Sequence, residues 1–170
     1  MVMRKAIPIL FQKANMLIPM EDRFVAEAML GKLAKWLRMM GYDILYQRSY
    51  REEDLACLLL GGRRLLSRRV GAQARHPGVL LLRSDHVGEQ LKELKSLGCL
   101  KLDRSRFFTR CLLCNVPLKD ADPEAAGSTL PDYVFHENPS EIRFCPECGR
   151  FFWPGTHRNR MLKQLEEWGL

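Results

Sequence analysis

No apolar run in this chain approaches the roughly 20 residues needed to cross a bilayer, and no low-complexity tract interrupts it. A helical membrane span and a disordered chain are both set aside, the latter also because 46 % of the residues are hydrophobic, enough for a core. Acids are outnumbered, 20 against 27 Lys and Arg, for a net charge of +7. That balance suits a polyanion such as RNA, although solubility alone would account for it equally well. The opening stretch has an apolar segment from Ala6 to Phe11, broken by Pro8, and no small-residue cleavage site follows it. Residues 1–19 are therefore read as an N-terminal extension, with Met20 as an alternative start. An intracellular, cytoplasmic setting is expected, with thiols reduced and no membrane partner.

What is present divides in two. From Arg23, short apolar runs alternate with helical segments. "RFVAE", "YDILY", "RRLLS" and "GVLLLRS" read as strands, the last expected to be central because it is so apolar. "AMLGKLAKWLRMM", "EEDLACLLL" and "VGEQLKELKSL" read as helices. Gly41 and Gly98 stand where left-handed helix caps belong. This order predicts an α/β domain with a mostly parallel sheet over residues 20–105. Residues 106–170 are expected to form a second unit. It contains a loop at "DADPEAAGSTLPDY" and a closing helix, "THRNRMLKQLEEW", with Thr156 as N-cap.

Four of the six cysteines lie in that second unit as two C-x-x-C pairs, Cys111 with Cys114 and Cys145 with Cys148, separated by 30 residues. Each pair offers two thiolates from one tight turn, and two such knuckles complete a tetrahedral zinc site. Asn115 and Gly149 follow the knuckles, where the backbone needs positive φ. A redox role fits less well, because neither pair opens a helix after a strand. With all four positions taken by protein, the Zn2+ would be structural. His136 and His157 are then surplus and expected at the surface. Cys57 and Cys99 are expected to be small buried hydrophobes.

In an open α/β sheet, ligands gather at the carboxyl ends of strands. Glu27 ends the first strand, Asp85 follows the last, and Glu52, Glu53 and Asp54 open a short helix. Converging carboxylates could hold Mg2+ or Mn2+ for phosphodiester cleavage. Helix capping by Glu52–Asp54 and a turn role for Asp85 are the plainer alternatives. Five arginines, Arg63, Arg64, Arg68, Arg69 and Arg75, fall within thirteen residues that contain no acid. They form either a solvated face or a phosphate track, which Arg158 and Arg160 of the final helix could extend.

Several stretches together point further: "RFVAEAMLGKLAKWLRMMGYDILY", "GGRRLLSRR", "EQLKEL", "RCLLCN" and "CPECGRFFWPGTHRNRM". They closely resemble the Mut7-C RNase domain family of PIN-like nucleases, over roughly residues 23–163. The resemblance implies a PIN-like three-layer sandwich followed by a small β-rich zinc ribbon. It also implies a Mg2+- or Mn2+-dependent ribonuclease acting on RNA, expected to be single-stranded, with Glu27, Glu52 and Asp85 as the catalytic carboxylates. Two positions depart from the family pattern. Glu27 stands where Asp is usual, and Arg69 stands where the family's "LTRD" has an acid. The alternative is a module that binds RNA or a protein without cutting. DNA binding through the ribbon is a third.

Overall fold

The structure, a computed structural model, describes residues 23–137 and 139–170. The expected extension at residues 1–19 lies outside them. Four parallel strands form the first sheet: β1 (Arg23–Ala26), β2 (Asp43–Tyr46), β3 (Arg64–Ser67) and β4 (Leu80–Leu81), in the order β2-β1-β3-β4. Helices α1 (Gly31–Met39), α2 (Glu52–Leu60), α3 (Ala72–Arg75) and α4 (Val87–Ser96) follow the strands in turn.

Alternation along the strands sends side chains to opposite faces. Phe24, Ala26, Ile44 and Leu66 point to one cluster, which is filled by Leu33 and Leu37 of α1, Leu91 and Leu94 of α4, and Leu165. Val25 and Leu65 point the other way and meet Leu55, Leu58 and Leu59 of α2. The result is a three-layer α/β/α arrangement: the sequence pattern implied the mostly parallel sheet, and the family resemblance implied the three layers. Two details differ. The apolar "GVLLLRS" run yields only the two-residue β4 at an edge, not a central strand. Cys57 is exposed, because α2 is apolar around most of its circumference and the sheet covers only the side bearing Leu55. Cys99 is buried as expected. Gly41 turns the chain from α1 into β2 at φ +87°, and an added Cβ would stand 2.5 Å from the Arg106 carbonyl oxygen.

The C-terminal unit has its own antiparallel sheet, β5 (Lys119–Asp120), β6 (Arg143–Phe144) and β7 (Phe151–Phe152). The stretch expected as one loop contains α5 (Pro123–Thr129) and the start of α6 (Asp132–Glu137). Asp122 caps α5 through the Ala125 N–H at 2.9 Å, a start signal masked by the surrounding Pro, Gly and acids. Helix α7 (Thr156–Glu167) closes the chain, but Gly155 holds the N-cap position expected for Thr156. α7 returns to the first unit. Leu165 joins its core, and Trp168 meets Trp36 with ring centroids 4.7 Å apart. Among the described residues no helix is long and apolar enough to cross a membrane.

A polar clamp joins the first cysteine knuckle to the strand starts. Asp43 is 3 % exposed and receives Arg63 through two bonds of 2.9 Å and Asn115 Nδ2 at 2.7 Å. Burial alone would raise the Asp43 pKa, but these donors outweigh it and hold the carboxyl below the ordinary range. Outer strand β2 is held from the side as well. The Ile44 N–H donates to Asn115 Oδ1 at 3.0 Å, and its carbonyl accepts from Arg38 at 3.1 and 3.2 Å. The same guanidinium donates to the Leu112 and Leu113 carbonyls inside the knuckle, and Arg110 donates to the Gly41 carbonyl at 3.1 Å.

Candidate active site and metal centre

The metal-ligand atoms of Cys111, Cys114, Cys145 and Cys148 all lie within 4.8 Å of one another, close enough to hold a metal ion such as zinc. Each knuckle closes by the same pair of backbone bonds. The N–H of Asn115 donates to the Cys111 carbonyl, and that of Gly149 to the Cys145 carbonyl; the N–H groups of Cys111 and Cys145 donate to Val116 and Arg150. Asn115 and Gly149 sit at φ +69° and +72°, as the spacing predicted. The donor set fits zinc. Thiolates about 2.3 Å from a tetrahedral ion stand about 3.8 Å apart, and Cys111 and Cys148 are separated by 3.8 Å. The Cys148 thiol is lowered to about 7, chiefly by the backbone N–H of Arg150, whereas burial pushes Cys145 up. His136 and His157 are exposed and stand outside the cluster.

The second site follows from the sheet order. β2 lies to one side of β1 and β3 to the other, so the chain reverses direction across the sheet between β1 and β3. A crevice opens at the carboxyl ends of such a pair. Here it is a small cleft of about 130 Å3, lined by Glu27, Glu52, Tyr50, Arg48, Arg69 and His76 among others. Glu27 leaves β1, and its carboxylate accepts a short hydrogen bond from the buried Ser67 hydroxyl of β3. That hydroxyl in turn accepts the Arg69 N–H at 3.0 Å. Glu52 comes from the first turn of α2, and its carboxylate lies 3.5 Å from His76 Nε2. The Tyr50 hydroxyl is buried and makes no hydrogen bond of normal geometry. Desolvation pushes its pKa up to about 12, so it stays a proton donor.

Glu27 and Glu52 thus share one cleft, and Asp85 does not join them. Its carboxylate is exposed beyond β4 and lies 3.5 Å from His86. Of the other α2 acids, Asp54 pairs with Arg51 at 3.0 Å. Among the described residues, the four cysteines are the group of three or more ligating side chains close enough to hold a metal. The arginine run separates. Arg63 is committed to Asp43 and is not part of an outer face, whereas Arg69 and Arg75 line the cleft. Arg64 and Arg68 are half-buried. Arg158 reaches Glu141 at 3.4 Å, and Arg160 is exposed. Ser67, Tyr50 and His76 were not singled out in the sequence. Only the position of Ser67 at the end of a strand hinted at a role.

The fold and its two sites define an α/β domain with a crevice at its switch point, extended by a four-cysteine ribbon. The Mut7-C RNAse domain family model covers residues 22–165, and the chain belongs to that family. This membership supports a nuclease-like function. No curated protein and no solved structure matches the chain.

Proposed function

We propose that the chain is a Mg2+- or Mn2+-dependent ribonuclease acting on single-stranded RNA, with a structural zinc ion held by the four cysteines. The observation that carries this reading is the meeting of Glu27 and Glu52 in one crevice at the switch point of a parallel sheet. Mg2+ is commonly held by one or two carboxylates together with substrate phosphates, so two glutamates suit one cation once RNA is bound. When bound, such a cation lowers the pKa of a water and polarises the scissile phosphate.

The remaining work falls to the chain's own groups. Ser67 fixes the Glu27 carboxylate through its hydroxyl. His76 stands beside Glu52 and limits where that carboxylate swings. Arg48, Arg69 and Arg75 bring positive charge to phosphate oxygens, and the Tyr50 hydroxyl, which makes no hydrogen bond of normal geometry, is a donor available to one of them. The reduced thiols required by the ribbon fit a cytoplasmic setting.

A second reading, an RNA-binding module that does not cut, is favoured by the presence of Arg69 in the lining of the cleft and by the absence of Asp85 from it. A titration decides between them: zinc-loaded protein and labelled single-stranded RNA are incubated with increasing Mn2+. Cleavage that requires the cation and is lost in Glu27→Gln supports the nuclease. Binding without cleavage at any Mn2+ concentration leaves the module.

A further inference from the structure

A second hollow lies apart from the glutamate cleft, beside the first cysteine knuckle. It has a volume of about 570 Å3 and opens where the ribbon meets the first unit. Phe107, Phe108, Phe152 and Trp153 wall it with aromatic rings, and the start of α7 closes one side. Arg143 and Arg158 line it as half-exposed ion pairs with Asp120 and Glu141, and the buried Arg110, bonded to the Gly41 and Asn115 carbonyls, adds a cation not balanced by an acid in the lining. Flat apolar faces edged by guanidinium groups match the two halves of a nucleotide, its base and its phosphate.

Phe108 adds an independent sign. It is one of two non-glycine residues with positive φ among the described residues, at +58°. Such a backbone is strained for a bulky side chain, and strain of this kind concentrates at ligand sites. Here its N–H donates to the Met39 carbonyl at 2.6 Å, and the Arg158 guanidinium lies over its ring, 5.1 Å from the centroid. The ring is thereby held at the wall of the hollow with a cation beside it. Trp153, on the same wall, remains 38 % exposed, unlike Trp36 and Trp168, which face each other.

The location matters as much as the lining. Arg110 donates to the carbonyl of Gly41, just before β2, so the hollow stands where the strands begin. The glutamate cleft stands where they end. Four-residue strands separate the two by about 13 Å or more. We infer that this aromatic hollow is a second binding site for single-stranded RNA, an anchor that stacks unpaired bases and holds the strand remote from the cleft. Bases in a duplex are already stacked on one another and cannot lie on Trp153 and Phe108. The inference rests on RNA being the partner, as proposed above, but not on cleavage.

The test uses the full zinc-loaded chain, without added Mg2+ or Mn2+, and a labelled oligouridine followed by anisotropy. Trp153→Ala should weaken binding about tenfold, within the range that loss of one base–aromatic stack gives. Trp153→Phe should restore most of it, with zinc content and circular dichroism unchanged in both. Single-stranded oligomer, but not the matched duplex, should quench the tryptophan emission of the wild type, and the quench should vanish in Trp153→Phe. In a separate assay with Mn2+ added, Trp153→Ala should raise the KM for a long oligomer far more than that for a dinucleotide, which is too short to span both sites.

The two proposals fail separately. Cleavage with unchanged affinity in Trp153→Ala overturns the anchor and leaves the nuclease. Trp153-dependent binding with no cleavage supports the anchor and overturns the nuclease. A protein that binds no single-stranded RNA overturns both, and equal quenching by duplex overturns the stacking geometry.

Discussion

Replacing Asn115 by Ala tests whether the ribbon and the sheet are one structure. The Asn115 side chain makes two buried bonds, accepting from the Ile44 N–H at 3.0 Å and donating to Asp43 Oδ1 at 2.7 Å. Loss of the acceptor leaves a buried N–H unsatisfied, at about 1–3 kcal/mol, and a bond to a charged group is worth about 1.5–3 kcal/mol. Ala at φ +69° adds about 1 kcal/mol of backbone strain that Asn tolerates better. Partial relaxation brings the expected total to about 4 kcal/mol, and Asn115→Gly, free of the strain, to about 3 kcal/mol. For a chain of this size, each kcal/mol moves Tm by about 2–4 °C, so Asn115→Ala should melt about 8–16 °C early. Urea unfolding at a fixed, saturating zinc concentration measures both variants without confusing stability with metal occupancy. If both variants lie within about 1 kcal/mol of wild type, the clamp carries no weight and the reasoning fails. If Gly is the worse of the two, the backbone argument fails even though the bonds stand.

Other outcomes follow from neighbouring features. Purified protein should hold one zinc per chain by elemental analysis, and Cys145→Ser should lose the metal and lower Tm, because a structural site contributes folding free energy directly. Arg69→Asp should tighten Mn2+ binding by calorimetry about tenfold, corresponding to about 1.4 kcal/mol, with a smaller gain in Arg69→Ala. Adding Glu27→Gln should cancel the gain. Gly88→Ala would put a Cβ 2.8 Å from the Trp168 ring, so it should cost about 1–3 kcal/mol in denaturant melts by displacing α7. The Asp43 pKa is depressed in the folded state, so its stabilisation is fully present above the ordinary carboxylate value near 3.9 and is lost as pH falls through the lower folded value. Acid melts of Asp43→Asn should therefore show a flatter pH dependence below about pH 4.

Much of this was legible in the sequence where a residue's chemistry allows one conformation. Gly41 and Gly98 mark helix ends because only glycine turns so readily there. The cysteine spacing marks the knuckles because two thiolates must leave one turn together. What could not be read depended on contacts between distant segments. α2 is apolar on most sides, so its pattern could not say that Leu55 faces the sheet while Cys57 faces water. Arg63 looks like its neighbours in the run, and only Asp43, twenty residues earlier, removes it from the surface. Glu27 and Glu52 came together as strand-end logic predicts. Asp85 did not, because β4 is too short and too far to the side to deliver it to the crevice between β1 and β3. His76 carried no signal, since its role beside Glu52 depends on how α3 lies.

The side chains that hold Ile44 have a consequence beyond anchoring. An outer strand ordinarily offers unpaired N–H and carbonyl groups to any other extended segment, which is how sheets recruit foreign strands and aggregate. On β2, Asn115 and Arg38 occupy both groups of Ile44, and the knuckle carbonyls keep Arg38 in place. The far edge is blunt for a different reason, since β4 is only two residues long. The ribbon therefore guards the one long edge of the sheet. If the knuckle loosens without its metal, that edge opens to intermolecular pairing, and depletion becomes a colloidal hazard as well as a local loss of order.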